Sequence, residues 1–187
     1  METMNKENFS KSLKQGLQYP WAKPSRLWNI LWMLLPIFGW FALGGYGKKI
    51  ARSLVHGNTK ELPEFGPFWN NFKEGLFIFV FLIPTWIVLF AFLAVPYVGR
   101  FVYHFAALFL LQWLVLNFYT YETFDSLWNV KKAFKTVTNN FVEYLFAFLK
   151  TIVFFAVYLV LCLVLVGIPC LMFGGRYFIA EFYRKHN

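Results

Sequence analysis

Charge is what this sequence has least of. Only 14% of its 187 residues are Asp, Glu, Lys or Arg, and just nine are acidic. A soluble domain carries roughly 25% charged residues, so this chain lacks the polar surface needed to face water on all sides. The same deficit excludes intrinsic disorder, which needs low hydrophobicity and high charge. Two cysteines are too few for a disulfide-stapled secreted module. G-x-S-x-G, H-E-x-x-H, Walker and G-x-G-x-x-G motifs are all missing. His56, His104 and His186 are far apart, and Cys162 and Cys170 have no histidine near them. A zinc site is therefore not expected, and the two thiols are expected to pack as small hydrophobes.

What is present is apolar and aromatic: 59% apolar residues, with 25 Phe, 10 Tyr and 8 Trp. An integral membrane protein is the class left. About 20 apolar residues in a helix cross the roughly 30 Å hydrocarbon core. Four windows carry no Asp, Glu, Lys or Arg: residues 27–47, 75–99, 101–121 and 151–175. Each is long enough for one crossing. They do not alternate like barrel strands, so they are read as helices, whose backbone groups are satisfied within the segment.

The middle windows meet at Pro96-Tyr97-Val98-Gly99-Arg100, a tight connection punctuated by Pro and Gly. This predicts a helical hairpin of residues 76–96 and 101–121. Phe77, Tyr97, Tyr119 and Tyr121 near its ends suit the headgroup zone. The outer windows are interrupted. The first holds Pro36-Ile37-Phe38-Gly39 and Gly44-Gly45-Tyr46-Gly47, and the last holds Gly167-Ile168-Pro169 and Gly174-Gly175-Arg176-Tyr177. Both run into Ile-Ala and a charge, at Ile50-Ala51-Arg52 and Ile179-Ala180-Glu181, a hint of an internal repeat.

Basic residues, 18 against nine acidic, would raise nucleic acid as a partner in a soluble protein. Here they flank apolar windows, where Lys and Arg mark the cytoplasmic side. Four plain crossings put nine basic residues on each side. If the first and last windows double back, 17 fall on one side and Arg100 stands alone on the other. The re-entrant arrangement, with a cytoplasmic N-terminus, is the favoured expectation, and four plain spans are the alternative. No cleavable signal is evident, so the first window is expected to act as an uncleaved anchor. Asn8-Phe9-Ser10 matches a glycosylation sequon that a cytoplasmic N-terminus would make irrelevant.

The full expectation is an all-α membrane helical bundle of four to five membrane segments plus two interfacial helices. Its parts are an amphipathic helix 8–18, a membrane segment 27–46, the hairpin, an amphipathic helix 124–141, a membrane helix 143–166 and a broken or re-entrant segment 168–183. Phe9, Leu13 and Leu17 recur every four residues. Phe124, Leu127, Trp128, Phe134, Val137 and Phe141 lie opposite Lys131, Lys132 and Lys135. Such basic helices lie in the interface plane, where anionic headgroups favour them by about 1 kcal/mol per Lys or Arg.

Few polar residues remain inside the windows. Gln112 and Asn117 are candidates for hydrogen bonds between helices, worth roughly 0.6–2 kcal/mol each, and this outweighs a substrate site. Glu143 and Lys150 share a helix face and can anchor it at the interface. The loop at 57–69, with Leu62, Pro63, Glu64, Phe65, Phe68 and Trp69, is either a partner or lipid contact surface or a seat for the helix after it.

Gly45-Tyr46, Ile50-Ala51-Arg52, Gly57, Leu62-Pro63-Glu64-Phe65 and Gly75-Leu76, after Gly16-Leu17-Gln18-Tyr19-Pro20, together resemble domain of unknown function 4013. This is a family of small prokaryotic polytopic membrane proteins. Ala133-Phe134, Asn139-Asn140 and Tyr144-Leu145 look like its second half, with Phe65 where the family usually has Trp. The resemblance implies a polytopic helical protein of the cell membrane and brings no catalytic residue. The closing Pro169 and Ala180-Glu181-Phe182-Tyr183 are loosely similar to the membrane domain attached to some glycerophosphodiester phosphodiesterases. The expected function is a non-enzymatic scaffold, anchor or accessory subunit without a cofactor. It would act as a homo-oligomer or in a membrane complex, bound to lipids and not to nucleic acid. A channel or carrier for small or lipid-like substrates is the alternative. A membrane-embedded enzyme ranks last.

Overall fold

The computed structural model describes residues 2–187, with side chains from Phe9 onward. The side chains of Lys6 and Asn8, used above in the charge tally and the sequon, lie outside the described residues. Helix α1 (Glu2–Gln18) leads through two 3-10 stretches, Tyr19–Ala22 and Pro24–Leu34, to α2 (Phe38–Val55). After a loop come α3 (Phe68–Leu93), α4 (Val98–Phe105), a π-helical turn Ala106–Leu110 and α5 (Leu111–Tyr121). Then follow α6 (Phe124–Trp128), α7 (Val130–Asn139), α8 (Phe141–Leu161), α9 (Gly167–Gly174) and α10 (Tyr177–His186).

Three helical stretches are long and apolar enough to cross a membrane: Phe68–Leu93, Val98–Tyr121 and Phe141–Val164. The expected hairpin is present, but α3 begins eight residues before residue 76 and so includes Lys73 and Glu74. The segments expected at 27–46 and 168–183 are each divided, the first at Leu35–Ile37 and the last at Gly175-Arg176. Helix 8–18 lies within α1. The single helix expected over 124–141 is two. Asn129 interrupts it, and its side chain caps α7 by accepting from the Lys132 amide, while the Thr123 side chain caps α6 by accepting from the Ser126 amide. Asn and Thr compete with helical hydrogen bonding in this way, a signal that the apolar period conceals. Of the apolar face proposed for that helix, Leu127 and Val137 are buried, whereas Phe124, Phe134 and Phe141 are exposed.

Two reversals are built alike. Ile37 (φ 67°, ψ −66°) and Tyr97 (φ 57°, ψ −71°) each follow a proline. In each case the next amide donates to the proline carbonyl, Phe38 to Pro36 at 2.8 Å and Val98 to Pro96 at 2.7 Å. These are γ-turns of the rare positive-φ form. Two residues later a glycine takes the close approach. A Cβ on Gly39 would lie 1.7 Å from the Trp32 carbonyl oxygen, and one on Gly99 would lie 1.9 Å from that of Phe92. The last window also turns back, through Leu165 at φ 62°, until Gly174 packs against Phe154. This true structural likeness joins the first window to the junction of the middle two. The Ile-Ala pairs noted in sequence lie buried in α2 and α10, which pack together.

The most extensive packing joins α2 to α3, antiparallel and backbone to backbone. A Cβ on Gly45 would lie 2.0 Å from the Asn71 carbonyl oxygen, and one on Gly75 would lie 1.7 Å from that of Phe41. Each glycine thus sits over the residue four positions before the other contact on the facing helix. In lipid, helices gain no hydrophobic drive to associate, so small residues that admit close contact take that role. The remaining core is aromatic, with Tyr46, Trp113, Phe118, Tyr144, Phe154 and Tyr158 buried. The π turn frees carbonyls from the regular helical pattern, and the Tyr144 hydroxyl donates toward those of Leu108 (3.3 Å) and Phe109 (3.0 Å).

Gly45→Val should force α2 and α3 apart and cost about 1–3 kcal/mol or more, the overpacking range. Thermal unfolding in detergent would register this as a lowered midpoint. Tyr144→Phe keeps the ring and removes the donor, so about 1 kcal/mol should be lost. A midpoint equal to that of the unmodified protein would refute the role given to the hydroxyl.

Candidate functional site

Charged side chains gather in four clusters, together called the girdle, each of which joins segments far apart in sequence. Lys48 of α2 has only 4% of its side chain exposed and contacts Glu74 of α3 and Glu122 just beyond α5, the latter at 3.0 Å. Arg52, one turn on, also pairs with Glu122. Glu122 reaches this position from a left-handed backbone (φ 56°) that ends α5. The Lys48 ammonium also lies 5.6 Å from the centre of the Phe77 ring. A buried cation left without its partner is strongly destabilising, so two carboxylates on Lys48 fix the bases of α2, α3 and α5 at one level.

Three further groups extend the girdle. Arg26, before the first window, pairs with Glu61 (3.3 Å) and Glu64 (3.7 Å), and Lys23 reaches Glu61 at 3.5 Å. Glu143 at the start of α8 takes Lys185 and His186 of α10. Lys150 donates to Ser12 of α1, which donates to Glu181 of α10, both at 3.0 Å. Glu143 and Lys150, read in sequence as an interfacial pair on one face, therefore find their partners on other segments. At Glu61 a desolvation cost is outweighed by Lys23 and Arg26, which hold the carboxyl below the usual glutamate range.

The loop residues divide. Leu62 is fully buried and Phe65 packs on Trp32 and Tyr46, whereas Glu64 and Trp69 are exposed. Phe68 leans on Trp32. The Pro63 carbonyl accepts from the Tyr46 hydroxyl at 2.8 Å, and the Phe65 carbonyl accepts from the Asn71 amide at 2.7 Å. The loop is thus clamped to α2 and α3. Lys131, Lys132 and Lys135 are exposed on α7, with Lys132 5.8 Å from the Trp113 ring centre. Asn117 is buried, donates to the Ser126 carbonyl at 2.6 Å and accepts from the Tyr183 hydroxyl at 2.8 Å, joining α5, α6 and α10. Gln112 is exposed and borders a cavity instead. Among the described residues no three His, Cys, Asp or Glu are placed to hold a metal ion. Lys48 escaped the sequence reading, because its burial depends on acids 26 and 74 positions away.

The model of a family described as Protein of unknown function (DUF4013) matches residues 29–105. Over that stretch the chain is similar to the DUF4013 family. The DUF4013 stretch opens inside the second 3-10 segment and closes at the end of α4. It therefore contains both proline γ-turns, the glycine crossing and the clamped loop. The DUF4013 match thus coincides with the backbone scaffold of the first two reversals and carries no catalytic assignment. No curated protein and no solved structure matches the chain.

Because the Glu61 carboxyl titrates lower in the folded protein, its contribution to stability is complete above the usual glutamate pKa, about 4.3. It fades as pH falls through the lower folded value. Hydrogen exchange in the loop at 57–67 should rise on acidification through that range, and Glu61→Gln should remove that component of the rise. An unchanged profile in Glu61→Gln would refute the linkage.

Proposed function

We propose that the chain is a non-enzymatic membrane scaffold or anchor, embedded from one face, with the α3–α4–α5 hairpin as its full crossing. The observation that carries this reading is the girdle. Its ion pairs hold the N-terminal segment to the first loop and the second loop to the C-terminal helix within 4 Å. Four plain crossings would set those partners on opposite sides of a roughly 30 Å core.

Segment lengths support the same arrangement. From Arg26 to Pro36 the 3-10 stretch reaches about 20 Å, and from Phe38 to Lys48 the helix returns about 15 Å. From Lys150 to Leu165 the chain runs about 22 Å, and from Gly167 to Arg176 about 14 Å. The arms of the first window and the closing arm fall short of a crossing; α8 reaches crossing length only when counted from Phe141, and Glu143 and Lys150 within it bond to α10 and α1. By contrast, α3 is about 39 Å long, and Arg100, the one basic residue at the hairpin tip, lies in the first turn of α4 beside the far end of α3. The charge excess on the girdle side favours the cytoplasm for that side. Large exposed apolar side chains, among them Trp40, Trp86 and Phe101, suit contact with lipid or with neighbouring subunits. A carrier of lipid-like molecules is the second reading, favoured by two cavities that meet beside Arg176.

Single cysteines introduced at Lys14, Asn58, Arg100 and Asn187, in a chain whose own two cysteines are replaced, should separate by membrane side. An impermeant thiol reagent is expected to reach Arg100→Cys from one side and the other three from the opposite side. Labelling of Lys14→Cys and Asn58→Cys from opposite sides would overturn the single-faced arrangement.

A further inference from the structure

Arg176 stands apart from the other cations. It follows the last uncharged window, is half-buried, and has no carboxylate within 4 Å among the described residues. Unpaired cations such as Lys73, Arg100 and Lys135 are exposed, where water solvates them. Arg176 donates one hydrogen bond, to the Tyr119 hydroxyl at 3.1 Å, and its guanidinium carbon lies 5.2 Å from the Tyr119 ring centre. A guanidinium carries five N–H donors, so most of its capacity is unspent.

Those donors face two cavities, of about 320 and 200 Å³, which share Arg176, Tyr119 and Gln112. The walls of the larger are largely apolar, with Leu108, Phe148 and Met172 among them. The smaller includes Thr85, whose hydroxyl oxygen is buried without a hydrogen-bond partner. A buried polar atom left unpaired costs stability, and one that lines a cavity is available to whatever occupies it. The polar side chains here are the guanidinium, an amide and hydroxyls. The lining contains no carboxylate.

We propose that Arg176 anchors the oxyanion of an acidic membrane lipid, with an alkyl chain of that lipid lying along the apolar wall. A guanidinium binds phosphate through paired, charge-assisted hydrogen bonds. Tyr119 holds the guanidinium in place, and Gln112 and Thr85 supply further donors. This site is separate from the exposed lysines of α7 and does not depend on how many times the chain crosses the membrane.

The test is native mass spectrometry of the full chain in neutral detergent, titrated separately with phosphatidic acid, phosphatidylcholine and inorganic phosphate. Phosphatidic acid should give one saturable adduct at least tenfold tighter than phosphatidylcholine, and inorganic phosphate should bind far more weakly than the lipid. Arg176→Gln should weaken the phosphatidic acid adduct about tenfold, while the Lys131→Gln, Lys135→Gln double variant leaves it intact. Met172→Trp fills the larger cavity and keeps the charge, so it should weaken the adduct too and serves if Arg176→Gln does not fold. Equal binding of phosphatidylcholine, phosphate binding as tight as the lipid's, or full binding by Arg176→Gln or by Met172→Trp would each overturn the proposal.

Discussion

In hydrocarbon an unpaired charge or an open peptide group has no water to turn to. That constraint organises this chain. Its few acids are spent where basic residues gather, and the pairs formed are between segments more often than within them. Glu122 serves Lys48 and Arg52, Glu61 serves Lys23 and Arg26, and Glu143 serves Lys185 and His186. With nine acids for 18 basic residues, pairing cannot be general. The buried Lys48 takes two carboxylates, exposed cations such as Lys73, Arg100 and Lys135 are left to solvent, and Arg176 faces a cavity.

Apolar burial cannot hold such a structure together alone, since the lipid around it is as apolar as the core. Close backbone contact and directional polar bonds take a larger share. Gly45 and Gly75 bring α2 against α3, Tyr46 on Pro63 and Asn71 on Phe65 lock the loop to that pair, and Tyr183 on Asn117 ties α10 to α5. The many stacked and edge-on rings, such as Phe77 with Phe81 and Phe118, fill the spaces between helices that these contacts fix.

Much of this was legible in the residue order. Uncharged windows marked the helices of the hairpin, and Pro36, Gly39 and Gly167 marked the interruptions, because each is a local property of the backbone. Charge counting favoured segments that double back, on a tally that otherwise tied. What could not be read was long-range. Lys48 is an unremarkable basic residue until Glu74 and Glu122 close on it, and Arg176 looks like the end of a helix until Tyr119 and the cavities stand opposite. The break at Asn129 was local and still hidden, since Phe134 and Val137 keep the helical period while the Asn side chain recaps the chain. The likeness between Pro36–Gly39 and Pro96–Gly99 also went unread. Pro-x-x-Gly has too little sequence content to stand out before the positive-φ residue between is seen.

The three reversals expose their tips in different ways, and the difference bears on the proposed arrangement. Leu34 is 77% exposed at the first and Leu163 is 86% exposed at the last, with neighbours that are also apolar. The middle tip exposes Tyr97 at 87% and has Arg100 beside it. Water penalises leucine tips of this kind and hydrocarbon does not, whereas a tyrosine beside an arginine suits the headgroup zone. A chain entering from one face needs two tips that stop within the apolar layer and one that reaches beyond it. Tip chemistry sets the middle reversal apart from both others and segment length sets it apart from the first, although length follows from the spacing of charges and tip chemistry from the residues at the turns. That agreement between independent features favours the single-faced reading over a chance imbalance in the basic residues.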